Sequence, residues 1–313
     1  MNRRTTKMAS KEKTKRISRF STKTSGLLNF ADLKKPQFRL LYWSMFLILF
    51  IISLVCLLPT LWVGVSGFKE VSEMYAVPPT ILPKTWDIGK VGTVWQKVNV
   101  IKYFTNSVML IIGCWACDIV INGLAGYVLS RLKPVGSRVI ETLVFWSMLL
   151  PGISMVPLYM TFVDVPGIHV NLIGSYVPIW IMSGANAFNI LLFRNFFNSI
   201  PMSYLEAARI DGCSDMGIFG RIILPLSKPI IMVVTIFSIT GTWGNFMWPY
   251  LILGNTQKEP VAVMLYRLSS GSSGLMDNEY MLLMMISIIP MIIMYAIFSK
   301  HIMGGLNMSG LKG

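Results

Sequence analysis

The chain has 313 residues, of which 54% are hydrophobic and only 13% are charged. An average soluble domain has about 25% charged residues, so this composition excludes an ordinary soluble protein and indicates a polytopic membrane protein. The net charge of +14 would suggest a nucleic-acid partner in a soluble chain. In a membrane protein it instead indicates an orientation signal and contact with anionic lipid. We therefore expect membrane lipid, and no nucleic acid, among the partners.

Residues 1–39 contain 12 lysines and arginines but only two acidic residues, Glu12 and Asp32. The segment is rich in serine and threonine and shows no apolar periodicity. It is too long for a cleavable signal peptide, and the apolar run that follows it is longer than a signal core. We therefore predict a flexible basic tail.

Six apolar segments follow, and they predict an all-α membrane protein with six transmembrane helices. A helix needs about 20 residues to cross about 30 Å of hydrocarbon, and the charge-free residues 40–68 are long enough for the first span. The other five predicted spans are residues 103–130, 142–163, 170–193, 230–253 and 280–299. Outside this core of residues 103–299, we predict an extracytoplasmic loop at 69–102 and a C-terminal tail at 300–313.

The distribution of lysine and arginine predicts the orientation of these spans. Six spans place both termini on the same side of the membrane. If that side is the cytoplasm, it receives 21 lysines and arginines and the opposite side receives 7. This asymmetry follows the positive-inside rule, so we predict cytoplasmic N- and C-termini and a cytoplasmic loop at residues 194–228.

The cytoplasmic loop has the pattern of two short helices joined by a turn. Ser203 precedes Glu206 by three positions, which is the spacing of a capping box and predicts a helix start. Asp211 and Gly212 predict the end of that helix, because glycine adopts the left-handed conformation without penalty. A second short helix is predicted over about 214–225, where a proline ends it. Such a surface helix pair is suited to binding another protein.

Seven residues of this loop occupy the fixed positions of a family signature. They are Glu206, Ala207, Ala208, Gly212, Ile222, Leu224 and Pro225. Together they resemble the EAA signature of ABC-importer permeases, which reads E-A-A, three residues, glycine, nine residues, I-x-L-P. In that family the loop forms a coupling helix that docks on the ATP-hydrolysing subunit. The resemblance implies ATPase-coupling roles for these seven residues, together with Ser203 and Asp211.

The resemblance extends over about residues 40–313, to the smaller six-span permease of maltose-type importers in bacterial cell membranes. It implies the type I ABC importer permease fold and transport of a sugar, most simply an oligosaccharide. It also implies three kinds of partner: a second homologous permease, an ABC ATPase dimer that holds ATP and Mg, and an extracytoplasmic solute-binding protein. The sequence has no P-loop, H-E-x-x-H or G-x-S-x-G motif. We expect a transport subunit rather than an enzyme, with no cofactor or metal in this chain.

Asp118 is the only ionisable residue inside a predicted span. An intramembrane carboxylate is costly unless it is paired, so it is a candidate functional residue. One interpretation is a proton or cation relay, which would make the protein an ion-coupled secondary carrier. The other is a carboxylate that is protonated or hydrogen-bonded to a neighbouring helix. Secondary carriers usually show internal repeats with interrupted helices, and we find no convincing repeat here.

The fifth predicted span contains the aromatic and amide-bearing stretch Trp243–Pro249. Pro249 removes a hydrogen bond to the carbonyl one turn earlier and predicts a kink. Aromatic faces stack on pyranose rings and amides bind hydroxyl groups, so the stretch suits a sugar path; plain helix packing is the alternative. The predicted substrate path consists of Trp243, Asn245, Phe246, Trp248 and Asp118. The stretch is similar to a W-N-x-F-x-x-P segment of sugar-importer permeases, although Gly244 replaces the usual asparagine.

Two features concern the transported solute without identifying it. The loop at residues 255–279 is rich in glycine and serine. The resemblance implies that it enters the sugar groove of the binding protein, and a flexible connector is the alternative. The same architecture could also carry peptides, amino acids or phosphate, although the aromatic residues of the fifth span favour a sugar.

Overall fold

The computed structural model describes residues 36–149, 154–270 and 274–309, and its regular elements there are all helical. The predicted basic tail lies almost entirely outside these residues, as do residues 310–313 of the predicted C-terminal tail. In chain order the helices are α1 Pro36–Phe68, α2 Val71–Met74, α3 Gly89–Val98, α4 Val100–Leu132, α5 Ser137–Leu149, α6 Met155–Val163, α7 Val177–Ser183, α8 Ala187–Ser199, α9 Met202–Ile210, α10 Asp215–Leu226, α11 Lys228–Gly244, α12 Met247–Leu253, α13 Val261–Ser269 and α14 Asp277–Ser309.

The chain divides into two compact units, residues 1–62 and 63–313. In the first unit, the described part of α1 is an apolar helix whose side chains are exposed from residue 39 to residue 62. A helix that is apolar all round is stable only in an apolar environment, so this surface is suited to lipid.

Three of the described helices are long and apolar enough to cross a membrane, namely Arg39–Ser66, Val100–Leu132 and Asp277–Phe298. Helices α10 and α11 together are also long and apolar enough for a fourth crossing, but they are bent by 81° at their junction and so do not form one straight helix. The all-α membrane architecture is therefore confirmed, and the first, second and sixth predicted spans each correspond to one long helix. The count of six spans stays a prediction.

The fourth predicted span is wrong as a continuous helix. The structure places irregular backbone from residue 170 until α7 begins, and it breaks the chain again between Ser183 and Ala187. Asn186 stands in this break with an extended backbone, and its side chain accepts a hydrogen bond from the backbone N–H of Asn189 at 3.1 Å. Asn186 is therefore the N-cap of α8, and the predicted span consists of two separate helices.

The fifth predicted span is also divided, at the place where the proline predicted a kink. Helix α11 ends at Gly244, Asn245 is extended, and α12 begins at Met247. Pro249 has no N–H to donate to the carbonyl of Asn245, so the helix cannot continue through this turn. The predicted kink is confirmed, and it is a complete break.

Two segments predicted as loops contain helices. Residues 69–102 include α2 and α3, and residues 255–279 include α13. Val261, Val263 and Met264 of α13 are almost fully buried. The alternative of a flexible connector is therefore wrong for α13, because its apolar face packs into the core. Residues 271–273 of that loop lie outside the described residues.

A close approach between α4 and α8 depends on Gly126. A Cβ atom added there would lie 2.7 Å from Cβ of Phe193 and 3.0 Å from the backbone nitrogen of Arg194. Because a backbone atom cannot rotate aside, we expect Gly126→Ala to separate the helices and to lower the free energy of unfolding by about 1–3 kcal/mol. Thermal unfolding of the detergent-purified protein would measure this loss. Gly123→Ala is the control, since its Cβ would meet Phe219 at an ordinary 3.6 Å; equal losses in both variants would contradict the prediction.

Candidate functional site

A cavity of about 400 Å³ lies among α4, α7, α8, α11 and α12. Its lining includes the two helix breaks, which come together from distant parts of the sequence. The lining residues are Leu110, Cys114, Asp118, Ile179, Met182, Ser183, Asn186, Phe188, Asn189, Phe237, Ser238, Gly241, Thr242, Asn245, Trp248 and Pro249. Broken helices leave backbone polar groups and side-chain amides facing such a space, which is a common way to form a solute site within a membrane protein.

The lining combines one carboxylate with amides, hydroxyls and aromatic rings. The amides belong to Asn186, Asn189 and Asn245, and Asp118 is the only charged side chain among the described residues of the lining. Polar neutral groups and aromatic faces together match the hydroxyls and apolar ring faces of a saccharide.

The structure brings together some of the predicted substrate-path residues and separates others. Asp118, Asn245 and Trp248 line the same cavity. Trp243 instead packs edge-on against Phe104, with ring centroids 5.8 Å apart. Phe246 lies against Tyr266, at a centroid distance of 4.7 Å. Neither Trp243 nor Phe246 is among the described residues that line the cavity.

Asp118 is buried in a network of asparagine side chains. Its Oδ1 accepts hydrogen bonds from Nδ2 of Asn122 at 2.5 Å and from Nδ2 of Asn189 at 2.8 Å, and its Oδ2 lies 3.0 Å from the same Asn189 nitrogen. A π-helical turn of α4, Asp118–Asn122, carries two of these three side chains. The carboxylate is thus hydrogen-bonded to a neighbouring helix, α8, which is one of the two arrangements that the sequence left open.

Asn122 connects this network to the break between α7 and α8. Its Nδ2 donates to the carbonyl of Ser183 at 3.1 Å, and its Oδ1 accepts from the backbone N–H of Asn186 at 3.2 Å. These are backbone groups that a helix end leaves without intrahelical partners. Asn122 and Asn189 were missed by the sequence analysis. The four-residue spacing from Asp118 to Asn122 was the available signal, since it places both side chains on one helix face.

The predicted cytoplasmic loop is shorter than expected. Residues 194–199 belong to α8, and α9 begins at Met202 after Pro201. The capping-box prediction is wrong, because Pro201 occupies the N-cap position, where no side chain caps the helix, and Ser203 lies inside α9. The predicted start of the second helix is accurate, since Oγ of Ser214 accepts from the N–H of Gly217 at 3.2 Å. That helix continues to Leu226, one residue beyond Pro225.

The end of α9 has the geometry that the glycine predicted. Gly212 has a φ of +78°, and its N–H donates to the carbonyl of Arg209 at 3.0 Å. The N–H of Cys213 donates to the carbonyl of Ala208 at 2.9 Å. This pair of bonds is a Schellman motif, and Asp211 is the C-cap residue. Arg209 and Asp215 then form an ion pair of 3.1 Å across the turn.

The two faces of this helix pair differ in exposure. Leu205, Ala208, Ile218 and Ile223 are buried in a core that also contains Phe197. The opposite face exposes Glu206, Ala207 and Gly212, with the apolar side chains of Tyr204, Ile210 and Met216. We refer to these six exposed residues as the coupling surface, after the ATPase-coupling role that the family resemblance implies for this loop. Ile222 and Leu224 are partly buried against the core, and Pro225 is exposed.

The coupling surface is joined directly to the cavity by α8. This 13-residue helix has Asn189 in its first turn, at the cavity, and ends at Ser199, shortly before α9. The guanidinium of Arg131, at the end of α4, donates to the carbonyls of Phe197 and Ile200 and so caps the last turn of α8. A second ion pair, Arg194 with Glu141, ties α8 to α5. The elements that line the cavity therefore also hold the coupling surface.

Comparisons with known proteins agree with this architecture. The chain is 30% identical over 295 residues to the polygalacturonan/rhamnogalacturonan transport system permease protein YtcP of Bacillus subtilis, covering 90% of this chain and 100% of the relative. It is 27% identical to the diacetylchitobiose uptake system permease protein NgcG of Streptomyces coelicolor, covering 82% of this chain and 84% of the relative. The fold is similar to a chain in the crystal structure of a bacterial ABC transporter involved in the import of the acidic polysaccharide alginate. That likeness has a TM-score of 0.73 at 24% identity and covers 88% of this chain and 99% of the other.

The sequence profile of one family covers more than half of the chain. It matches residues 122–304, which run from the buried asparagine of α4 through both broken helices and the coupling surface into α14. The predicted family resemblance is therefore confirmed, and so is the expectation of a transport subunit rather than an enzyme. The chain belongs to the family described as the binding-protein-dependent transport system inner membrane component.

Proposed function

We propose that this chain is the membrane-spanning permease subunit of an ATP-driven importer of oligosaccharides. The observation that carries the proposal is the cavity, because amides, hydroxyls and Trp248 surround a space of about 400 Å³ that ends at two broken helices. The relatives named for polygalacturonan/rhamnogalacturonan and diacetylchitobiose support a saccharide over a peptide, an amino acid or phosphate.

The proposal includes the partners that a single permease chain needs. The coupling surface would dock on an ABC ATPase dimer, which holds the ATP and Mg, and an extracytoplasmic binding protein would deliver the sugar. A second, homologous permease would complete the pathway. Exposed apolar side chains at the tip of the coupling surface, Ile210 and Met216, support a protein partner there, because isolated apolar groups of this size gain free energy when they are buried. We also propose that the chain has six membrane spans and that both of its termini lie in the cytoplasm.

The proposed mechanism is alternating access driven through α8. ATP binding would close the ATPase dimer and move the coupling surface. Helix α8 would transmit that movement as a rigid body, because its first turn is capped by Asn186 and its last turn by Arg131. The breaks around the cavity then allow the flanking segments to change their angle without unfolding. An ion-coupled carrier is less consistent with the site, because Asp118 is bonded to two amides and no second carboxylate, lysine, arginine or histidine is among the described residues that line the cavity.

Deletion of the gene in its natural host is expected to abolish uptake of one class of labelled oligosaccharide. The panel would contain short oligomers of galacturonate, N-acetylglucosamine, arabinose and galactose, with an amino acid and phosphate as controls. Uptake should return with the wild-type chain and should survive a protonophore while cellular ATP is maintained. Normal uptake of every oligosaccharide in the deletion strain would overturn the sugar assignment, and sensitivity to the protonophore at constant ATP would favour an ion-coupled carrier.

A further inference from the structure

A short hairpin that connects α4 to α5 carries two exposed cations. Residues 132–140 read L-K-P-V-G-S-R-V-I and include no acidic residue, and we refer to them as the basic hairpin. Lys133 and Arg138 are exposed, and neither forms an ion pair with a residue that the structure describes. The nearest acidic residue along the chain, Glu141, is already paired with Arg194. Two positive charges are therefore available to a partner outside this chain.

The backbone of the basic hairpin has a defined turn geometry. The N–H of Lys133 donates to the carbonyl of Val128 at 2.9 Å, which closes the last turn of α4. The N–H of Ser137 donates to the carbonyl of Pro134 at 2.9 Å, and α5 starts at this serine. Lys133 and Arg138 therefore flank one compact turn, and both are exposed to the same surroundings at the end of the helix pair.

The two flanking helices set the depth of the basic hairpin in the membrane. Helix α4 is long and apolar enough to cross the hydrocarbon, and it ends at Leu132. Helix α5 has no buried residue, and it exposes Val139, Ile140 and Leu143 from its first turns onward. An apolar surface of this kind is stable in hydrocarbon. Because one helix ends where the hairpin begins and the other exposes apolar side chains where it ends, the hairpin lies at the level of the lipid headgroups.

The exposed apolar side chains of the hairpin continue this surface. Val135, at the tip, is fully exposed, and Leu132 is 38% exposed. Lysine and arginine next to such side chains can lay their aliphatic stems along apolar surface while the charged ends reach the headgroups. Anionic lipid attracts basic residues that lie close to the membrane surface. A lipid partner therefore matches both the charge and the apolar character of the hairpin.

We propose that the basic hairpin is a binding site for anionic phospholipid. In this arrangement Lys133 and Arg138 contact the phosphate oxygens of the headgroups, and Val135 enters the boundary between headgroups and acyl chains. The contact would tether the end of α4, where Arg131 bonds the last turn of α8. The site does not depend on which solute the protein carries.

The first test locates the hairpin tip and measures its lipid preference. The whole chain, with its four native cysteines replaced by alanine and Val135→Cys carrying an environment-sensitive fluorophore, is reconstituted in phosphatidylcholine vesicles. Acyl-brominated phosphatidylglycerol and acyl-brominated phosphatidylcholine serve as quenchers that differ only in the headgroup. The attraction per basic residue corresponds to roughly fivefold, so the anionic quencher should act at roughly five- to twentyfold lower mole fraction. Equal quenching by the two lipids, or a fluorophore in water, would overturn the proposal.

Substitution of the cations tests whether they cause the preference. We expect Lys133→Gln and Arg138→Gln each to reduce the preference for the anionic quencher by roughly two- to fivefold. Lys84→Gln is the matched control, because it removes one positive charge from an exposed position outside the hairpin and should leave the preference unchanged. High salt should also weaken the preference of the wild-type hairpin, since the screening length falls from about 10 Å at 0.1 M to about 3 Å at 1 M. An equal loss in Lys84→Gln would show an effect of net charge and would overturn the assignment to this hairpin.

The same labelled chain distinguishes lipid from a protein partner. The quenching measurement is repeated after the chain is assembled with the partner subunits of its natural transporter. If lipid occupies the basic hairpin, quenching by brominated phosphatidylglycerol persists in the assembly. Loss of quenching on assembly would show that a partner protein covers the hairpin and would overturn the proposal.

Discussion

Gly212→Val is expected to reduce sugar uptake by roughly tenfold or more while the chain still reaches the membrane in normal amount. Gly212 has a φ of +78° at the turn between the two helices of the coupling surface. An L-residue in this conformation costs about 1–2 kcal/mol, and a β-branched residue is among the least tolerant. If this surface docks on the ATPase as proposed, a distortion of about 1.4 kcal/mol there corresponds to a tenfold change in occupancy of the docked state. The measurement is sugar uptake together with ATP hydrolysis by the assembled transporter, and we expect hydrolysis to persist without uptake.

Two further variants separate backbone strain from steric bulk at this turn. Apart from its two chain neighbours, no described residue has an atom within 4 Å of a Cβ added at Gly212, so the substitution meets open space there. Gly220→Ala has equally open surroundings in the same helix pair but lies in helical conformation, so it should keep normal uptake. Gly212→Asn should be intermediate, because asparagine tolerates the left-handed region. Full uptake by Gly212→Val would contradict a requirement for this turn geometry.

Asn122→Leu is expected to lower the thermal midpoint of the purified protein more than any single change at the surface of α4. The side chain is fully buried and bonds Asp118, the carbonyl of Ser183 and the N–H of Asn186. Leucine has a similar volume but removes all of these bonds. Each buried polar group left without a partner costs about 1–3 kcal/mol, so we expect a total loss of at least about 2 kcal/mol.

The control for Asn122→Leu is Val120→Leu. Val120 lies in the same π-helical turn but is 54% exposed, so the change should leave the free energy of unfolding within about 0.5 kcal/mol of the wild-type value. Thermal unfolding in detergent, followed by tryptophan fluorescence, would measure both. A midpoint for Asn122→Leu as high as that of the control would show that the break between α7 and α8 does not depend on this side chain.

Local sequence signals predicted the local features of the coupling surface. Gly212 predicted the left-handed turn, since few other residues adopt that conformation without strain. Pro249 predicted the interruption of the fifth span, because a missing N–H acts within one turn of the chain. The capping box failed because Pro201 already fixes a backbone suited to the residue before the helix, so α9 starts one residue before Ser203. The pattern of a cap was present, but a neighbouring residue decided the boundary.

The cavity could not be predicted in this way. Asp118 was identified as an unusual residue, but its partner Asn189 lies 71 positions away in the chain. Trp243 and Phe246 shared a segment with Asn245 and Trp248, and only the latter two face the cavity. Once the helix breaks after Gly244, the rotation of each half is set by what it packs against, so spacing along the chain no longer tells which side chains point the same way.

The sequence by itself determined the membrane character, the helical class, the family and the position of the turn at Gly212. These follow from composition and from short patterns, because hydrocarbon requires apolar helices and a left-handed turn requires glycine. The tertiary structure alone decided which polar residues meet, how α8 joins the cavity to the coupling surface, and that the oxygen of Asn189 is left without a partner among the described residues. Those features depend on contacts between segments far apart in the chain, where packing and the pairing of buried polar groups outweigh local preference.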